Sequence, residues 1–142
     1  MVVLGPGSLY TSVIPNLLVD GIVDAIRDCN GLKVYVCNVM TQEGETEGYT
    51  VSDHIRAIFE HSSQGLFHLC LTNSSPIPKG VAARYAEEGA ELLRCDKEAC
   101  EALGVEIVDR PVATVKNGYV RHHPGHLARE LILLHAERSV RI

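Results

Sequence analysis

Residues 33–39 read Lys33-Val34-Tyr35-Val36-Cys37-Asn38-Val39. After Lys33 the run is rich in β-branched residues and shows no polar alternation. A strand with one wet face alternates apolar and polar side chains, whereas a strand covered on both faces does not. The stretch predicts a central strand of a parallel sheet, and the segments around it are judged against that.

Upstream, Val2-Val3-Leu4 is a second apolar run, stopped by Gly5-Pro6-Gly7-Ser8. Downstream, Leu66 to Leu71 ends at Thr72-Asn73-Ser74-Ser75-Pro76, a short strand is expected at Leu92-Leu93, and Val105 to Val108 reads as another. Helical patterns fill the gaps. Leu9 to Leu18 reads as a short helix interrupted near Pro15. Asp20 is expected to cap a helix bearing Ile22, Val23 and Ile26, with Asn30-Gly31 as its stop. Thr50 and Asp53 resemble a capping box ahead of Ile55, Ile58 and Phe59. Further helices run through Val81, Ala82 and Tyr85, from Asp96, and from Pro124 with the face Leu127, Leu131 and Leu134. Strand alternating with helix predicts an α/β fold: a Rossmann-like, doubly wound, mainly parallel sheet with helices on both faces and right-handed crossovers. Residues 1–142 are expected to form one such unit, with no repeat and no interdomain linker.

At 142 residues the chain has the size of about one domain. Hydrophobic residues at 46% and charged residues at 22% exclude a disordered or low-complexity chain. Thirteen Lys and Arg against eighteen Asp and Glu leave a net charge of −5. That balance gives no general attraction to nucleic acid or anionic lipid, so neither is an expected partner, and an anionic ligand needs local donors. No apolar run approaches the ~18–20 residues of a membrane span, and the start lacks the basic region of a secretory signal. Five cysteines without a CxxC spacing predict a reduced, cytoplasmic protein with neither disulfides nor a thiolate zinc site.

In open α/β sheets ligands bind outside the carboxyl ends of the strands. This directs attention to Gly5–Ser12, Asn38–Thr50 and Thr72–Lys79. The first loop offers two glycines, a helix start and the hydroxyls of Ser8, Thr11 and Ser12, a set suited to phosphate oxygens, though also to a tight turn with a serine cap. It matches neither GxGxxG nor a P-loop. The second loop presents Asn38, Thr41 and Gln42, neutral groups suited to a base or sugar hydroxyl, or to solvent. Asp53 reads as a helix cap rather than as the partner of His54. His122-His123-Pro124-Gly125-His126 has no carboxylate or Cys at ligand spacing, so no metal is assigned to it. Arg121 carries a planar fork that fits phosphate; Lys79, Arg84 and Arg94 are further cations that surface solvation also explains.

Four stretches also carry a resemblance. GPGSLYTSVIPNLL (residues 5–18), VYVCNVMTQEGETEGYTVSDH (34–54), RYAEEGA (84–90) and GYVRHHP (118–124) resemble the gluconeogenesis factor group, relatives of 2-phospho-L-lactate transferase. The resemblance extends in order over nearly the whole chain and matches the C-terminal half of a family domain about twice as long. It implies a Rossmann-like cytoplasmic protein that binds a nucleotide diphosphate ligand. One branch binds a UDP-sugar and is linked to carbon metabolism and cell shape, and CNVMTQ and VRHHP look like that branch. The other moves a phospholactyl group from a guanylyl donor to a deazaflavin precursor, with Mg²⁺ as a possible cofactor. The resemblance places the phosphate-side loop on Gly5, Gly7, Ser8 and Thr11, the polar loop on Asn38, Thr41 and Gln42, and nucleotide-sugar contacts on Tyr85 and Arg121. It also implies association with the other half of the family domain, or with a second copy. A third, blander reading is a packing module whose loops bind nothing.

Overall fold

The computed structural model describes residues 1–140, and the apolar run that begins at Lys33 lies in its sheet. Strand β2 (Lys33–Val36) pairs in parallel with β1 (Val2–Leu4) on one side and β3 (Leu69–Asn73) on the other. Strand β4 (Glu106–Arg110) extends the sheet beyond β3, again in parallel, giving the order β1-β2-β3-β4. Val34 and Val36 lie with Leu69, Leu71 and Val108 in one buried cluster, while Tyr35, Cys37, Cys70 and Ile107 lie in another. Both faces of β2 are therefore apolar, which is why its sequence does not alternate.

The Tyr35 face is covered by three pieces. The first is a wide turn, Leu9–Val13, whose last N–H reaches back five residues to the Ser8 carbonyl, followed by α1 (Ile14–Leu17). Then come α3 (Val51–Glu60), which buries Ile55, Ile58 and Phe59, and α5 (Lys97–Ala102), which buries Cys100. Helix α2 (Ile22–Asp28) adds the partly buried Val23 and Ile26. The opposite face is covered by α6 (Pro124–Ser139) through Leu127, Leu131 and Leu134. Arg110 reaches Glu130 at 3.6 Å and Glu137 at 2.8 Å, and Arg138 pairs with Glu106, so α6 is also tied to β4. Helices on both faces of a parallel sheet are the fold class the sequence predicts.

The capping box is present in full: Thr50 N–H donates to Asp53 at 2.9 Å and Asp53 N–H to the Thr50 hydroxyl at 3.4 Å. Other local expectations are corrected. Gly21, at φ +85°, caps α2 instead of Asp20, and the helix ends at Cys29, with Gly31 outside the left-handed region. Strand β2 stops at Val36, short of Val39. The chain there turns to meet residues 92–94, whose Leu93 N–H donates to Val39 O, while Met40 bridges Leu92. Leu92-Leu93 forms only that isolated bridge and is no strand of the sheet.

A two-stranded antiparallel hairpin was not expected. Its strands are β5 (Ala113–Lys116) and β6 (Tyr119–His122), joined by Asn117-Gly118 at φ +52° and +75°. Asn-Gly with both residues left-handed is the favoured two-residue hairpin turn. Helix α4 (Lys79–Glu87) packs against this hairpin: Val120 N–H donates to the Tyr85 hydroxyl at 2.9 Å, and Arg84 donates to the Gly118 carbonyl. One side chain sets the hairpin against the sheet. The Asn73 amide oxygen, at the end of β3, accepts from Ser75, Val112 and Ala113 N–H at 3.0, 3.2 and 2.9 Å.

Candidate functional site

A cavity of about 450 Å³ opens where β1 and β2 end and the hairpin returns. Four segments distant in sequence line it: Pro6 to Ser8, Asn38 to Gln42, Tyr85 of α4, and Val120 to His122 of β6. A neighbouring cavity of about 300 Å³ shares Asn38 and Val39 and extends over the ends of β3 and β4 to Thr72, Asn73 and Asp109. The loops after β1 and β2 thus meet at one place, and the Thr72–Lys79 loop serves the adjoining one.

Of the nine sequence-predicted residues, Gly7, Ser8, Asn38, Thr41, Gln42, Tyr85 and Arg121 line the first cavity; Gly5 and Thr11 do not. Thr11 is exposed on the wide turn. Gly5 stands behind the loop at φ +77°, where an added Cβ would lie 3.0 Å from the Val36 carbonyl. A Cβ on Gly7 would meet Ser12 Cβ at 3.0 Å, so that glycine serves the loop's own packing as well. The turn's N-terminal donors are not all free for an anion, because Tyr10 N–H already donates to the Glu45 carboxylate at 2.6 Å.

The polar loop is held from outside. Thr41 N–H donates to the Glu91 carbonyl at 2.8 Å, and its hydroxyl accepts from Glu91 N–H at 2.9 Å. Its contribution to the cavity is thus largely positional. Gln42 N–H donates to the Thr46 hydroxyl at 2.9 Å, which leaves its side chain for the cavity. The Tyr85 ring lines the wall while its hydroxyl anchors Val120. Arg121 is exposed; it donates to the Val120 carbonyl at 3.0 Å and sits 5.3 Å from the centre of the Tyr119 ring. Among the described residues it is the one cation in the lining, and no carboxylate joins it.

The histidine cluster divides. His123 accepts from His126 N–H at 3.1 Å, capping α6, and the two rings stack at 3.8 Å. His122 points elsewhere, into the cavity wall, and is the residue that the sequence reading passed over. Among the described residues no group of three His, Cys, Asp or Glu is placed to hold a metal ion.

These features define a class: a parallel α/β protein with a polar cavity at the carboxyl edge of its sheet. The particular family follows from comparison. The profile of the family described as 2-phospho-L-lactate transferase CofD matches residues 1–113, and the chain belongs to that family. It is 44% identical over 132 residues to the gluconeogenesis factor of Halalkalibacterium halodurans, covering 93% of this chain and 41% of that protein. It is 40% identical over 132 residues to the gluconeogenesis factor of Bacillus subtilis, covering 93% and 42%. A crystal structure of a Bacillus halodurans protein superposes with a TM-score of 0.87 at 45% identity, covering 92% of this chain and 42% of that one. The chain spans about two fifths of the length of these relatives and corresponds to their C-terminal part. Of the described helices, none is by itself long and apolar enough to cross a membrane.

Proposed function

We propose that this chain supplies the binding cavity for a nucleotide diphosphate ligand, a UDP-sugar, in a cytoplasmic regulatory protein of the gluconeogenesis factor type. The observation that carries this reading is the lining itself. Neutral hydrogen-bonding groups from Ser8, Asn38 and Gln42, the face of Tyr85 and the single guanidinium of Arg121 converge from four segments. Neutral donors and acceptors suit a base and sugar, an aromatic face can cover either, and a guanidinium binds a diphosphate by two parallel hydrogen bonds. A match of 132 residues in a chain of 142 necessarily includes residues 11–132, so the segment bearing Arg121 lies within the stretch that matches proteins named gluconeogenesis factor. Those names support a role in carbon metabolism; a link to cell shape rests on the sequence resemblance alone.

Calorimetric titration with UDP-glucose tests the reading, using this chain alone and with the preceding region of a relative supplied in trans. Arg121→Ala is expected to weaken binding by about 1.5–3 kcal/mol, the scale of a hydrogen bond to a charged group. Arg121→Lys restores only part, because an ammonium cannot make the paired bond. Unchanged affinity in the alanine variant would reject the assignment. The family profile favours a second reading, a fragment of a phospholactyl transferase. Incubation with lactyl-diphosphoguanosine, Mg²⁺ and the deazaflavin precursor, with and without the preceding region, separates the two by product formation.

A further inference from the structure

We propose that His122 and Gln42 form a pair of acceptors that read two hydroxyls of the ligand's sugar, which makes His122 a specificity-determining residue of the cavity. The inference rests on the nucleotide-sugar reading and adds which part of the ligand is read, and by what. Both residues line the same cavity, one from β6 and one from the loop after β2. His122 Nε2 and Gln42 Oε1 are both buried, and neither has a hydrogen-bond partner among the described residues. Buried polar atoms are nearly always paired, so two orphans on one cavity call for a shared explanation.

The chemistry of the pair says what would satisfy it. Burial lowers the His122 pKa against a hydrogen bond to the Cys37 backbone that raises it, and the net shift is downward. The ring is therefore neutral near pH 7. A bond that favours the protonated ring is one the ring donates, and with Nε2 unpartnered that donor is Nδ1. Nε2 is then an unpartnered lone pair on a residue that lines the cavity, as is the Gln42 carbonyl oxygen. A diphosphate offers only acceptors at neutral pH and cannot satisfy either atom. Sugar hydroxyls can, since each brings the donor that one of these two atoms lacks. The cavity is thus sorted by polarity: Arg121 forms its donor side for phosphate, and His122 with Gln42 forms its acceptor side for hydroxyls.

The test compares UDP-glucose with UDP by calorimetry. The expected wild-type preference for UDP-glucose should shrink at least tenfold in His122→Phe, which keeps the ring shape and removes the acceptor. Gln42→Met should shrink it in the same direction. His122→Gln, which returns a polar atom near the Nε2 position, should recover part of it and keeps the test usable should the Phe variant fail to fold. An undiminished preference in folded His122 variants, or an equal loss for both ligands, would overturn the proposal while leaving the nucleotide reading standing. Binding of neither ligand by the wild type would instead sink the nucleotide reading. In that event ¹⁵N-histidine spectra decide the inference alone. A shift of the His122 Nε2 resonance on titration with glucose sustains it, and a silent resonance overturns it.

Discussion

Asp96 secures the start of α3 although it belongs to the start of α5. Its carboxylate accepts from Ser52 N–H at 2.9 Å, from the Thr50 hydroxyl at 2.8 Å and from the Ser52 hydroxyl. Burial alone would raise the Asp96 pKa; the donations from Ser52 and Thr50 outweigh it and hold the carboxyl below its ordinary value. Asp53, fed by Thr50 N–H, is lowered as well. A carboxyl whose folded pKa is depressed adds stability that is complete above its unfolded value and disappears as the pH falls through the folded one. Asp96→Asn is expected to cost about 1–2 kcal/mol at pH 7, taking hydrogen bonds to a charged group and discounting for partial exposure. Thermal melts from pH 7 to pH 3 should show the gap between wild type and variant closing in acid; a gap independent of pH would reject the charge-based account. Gly5 is the second residue with an unusual burden. Gly5→Ala imposes a left-handed residue with a side chain against the Val36 carbonyl and is expected to cost at least about 1–2 kcal/mol in denaturant unfolding.

At the scale of elements, the hairpin controls the site because it carries Arg121 and His122. Tyr85→Phe removes the acceptor of Val120 N–H while leaving the ring in the wall. A stability loss of about 1 kcal/mol is expected, with UDP-glucose binding weakened less than in Tyr85→Ala. Equal losses in the two variants would mean that the ring contributes nothing. Much of this architecture was legible in advance. An unalternating strand such as 33–36 admits few readings, and the Thr50–Asp53 box marks a helix start by residue type and spacing alone. The hairpin escaped because its strands are only four residues each and bury Val120 alone, so no hydrophobic pattern marks them. The Asn117-Gly118 pair was the available signal. His122 escaped for another reason. Its neighbours suggest a metal cluster, and only the fold reveals that β6 ends with one histidine in the cavity while the next caps a helix. Gly5 and Thr11 lie in a loop that does reach the cavity, but spacing could not tell which of its residues turn inward.

For the whole molecule, the question is what covers its apolar edge. Strand β1 is an outer strand whose only partner among the described residues is β2, and Val3 on it is 38% exposed. Leu18 and Val19 are 62% and 58% exposed, and Ile132 on α6 is 66% exposed. Edge strands and apolar surface of this kind favour pairing with further chain. The region that precedes the matched segment in longer relatives, supplied in trans, is expected to raise the melting temperature of this chain. Without it, the chain should self-associate in sedimentation at high concentration. A monodisperse monomer that gains nothing from the added region would show that the surface needs no cover.

The three-way bond at Asn73 has a consequence for the timing of motion. The amide protons of Val112 and Ala113 are held by a side chain of β3 rather than by a neighbouring strand. In hydrogen exchange they should therefore report on the breathing of that sheet end and slow with its amides as one cooperative unit. The same coupling limits how the cavity can open: the hairpin bearing Arg121 and His122 cannot swing away at its root unless Asn73 lets go. Asn73→Ala should turn a slow, shared exchange at residues 112 and 113 into a fast, independent one.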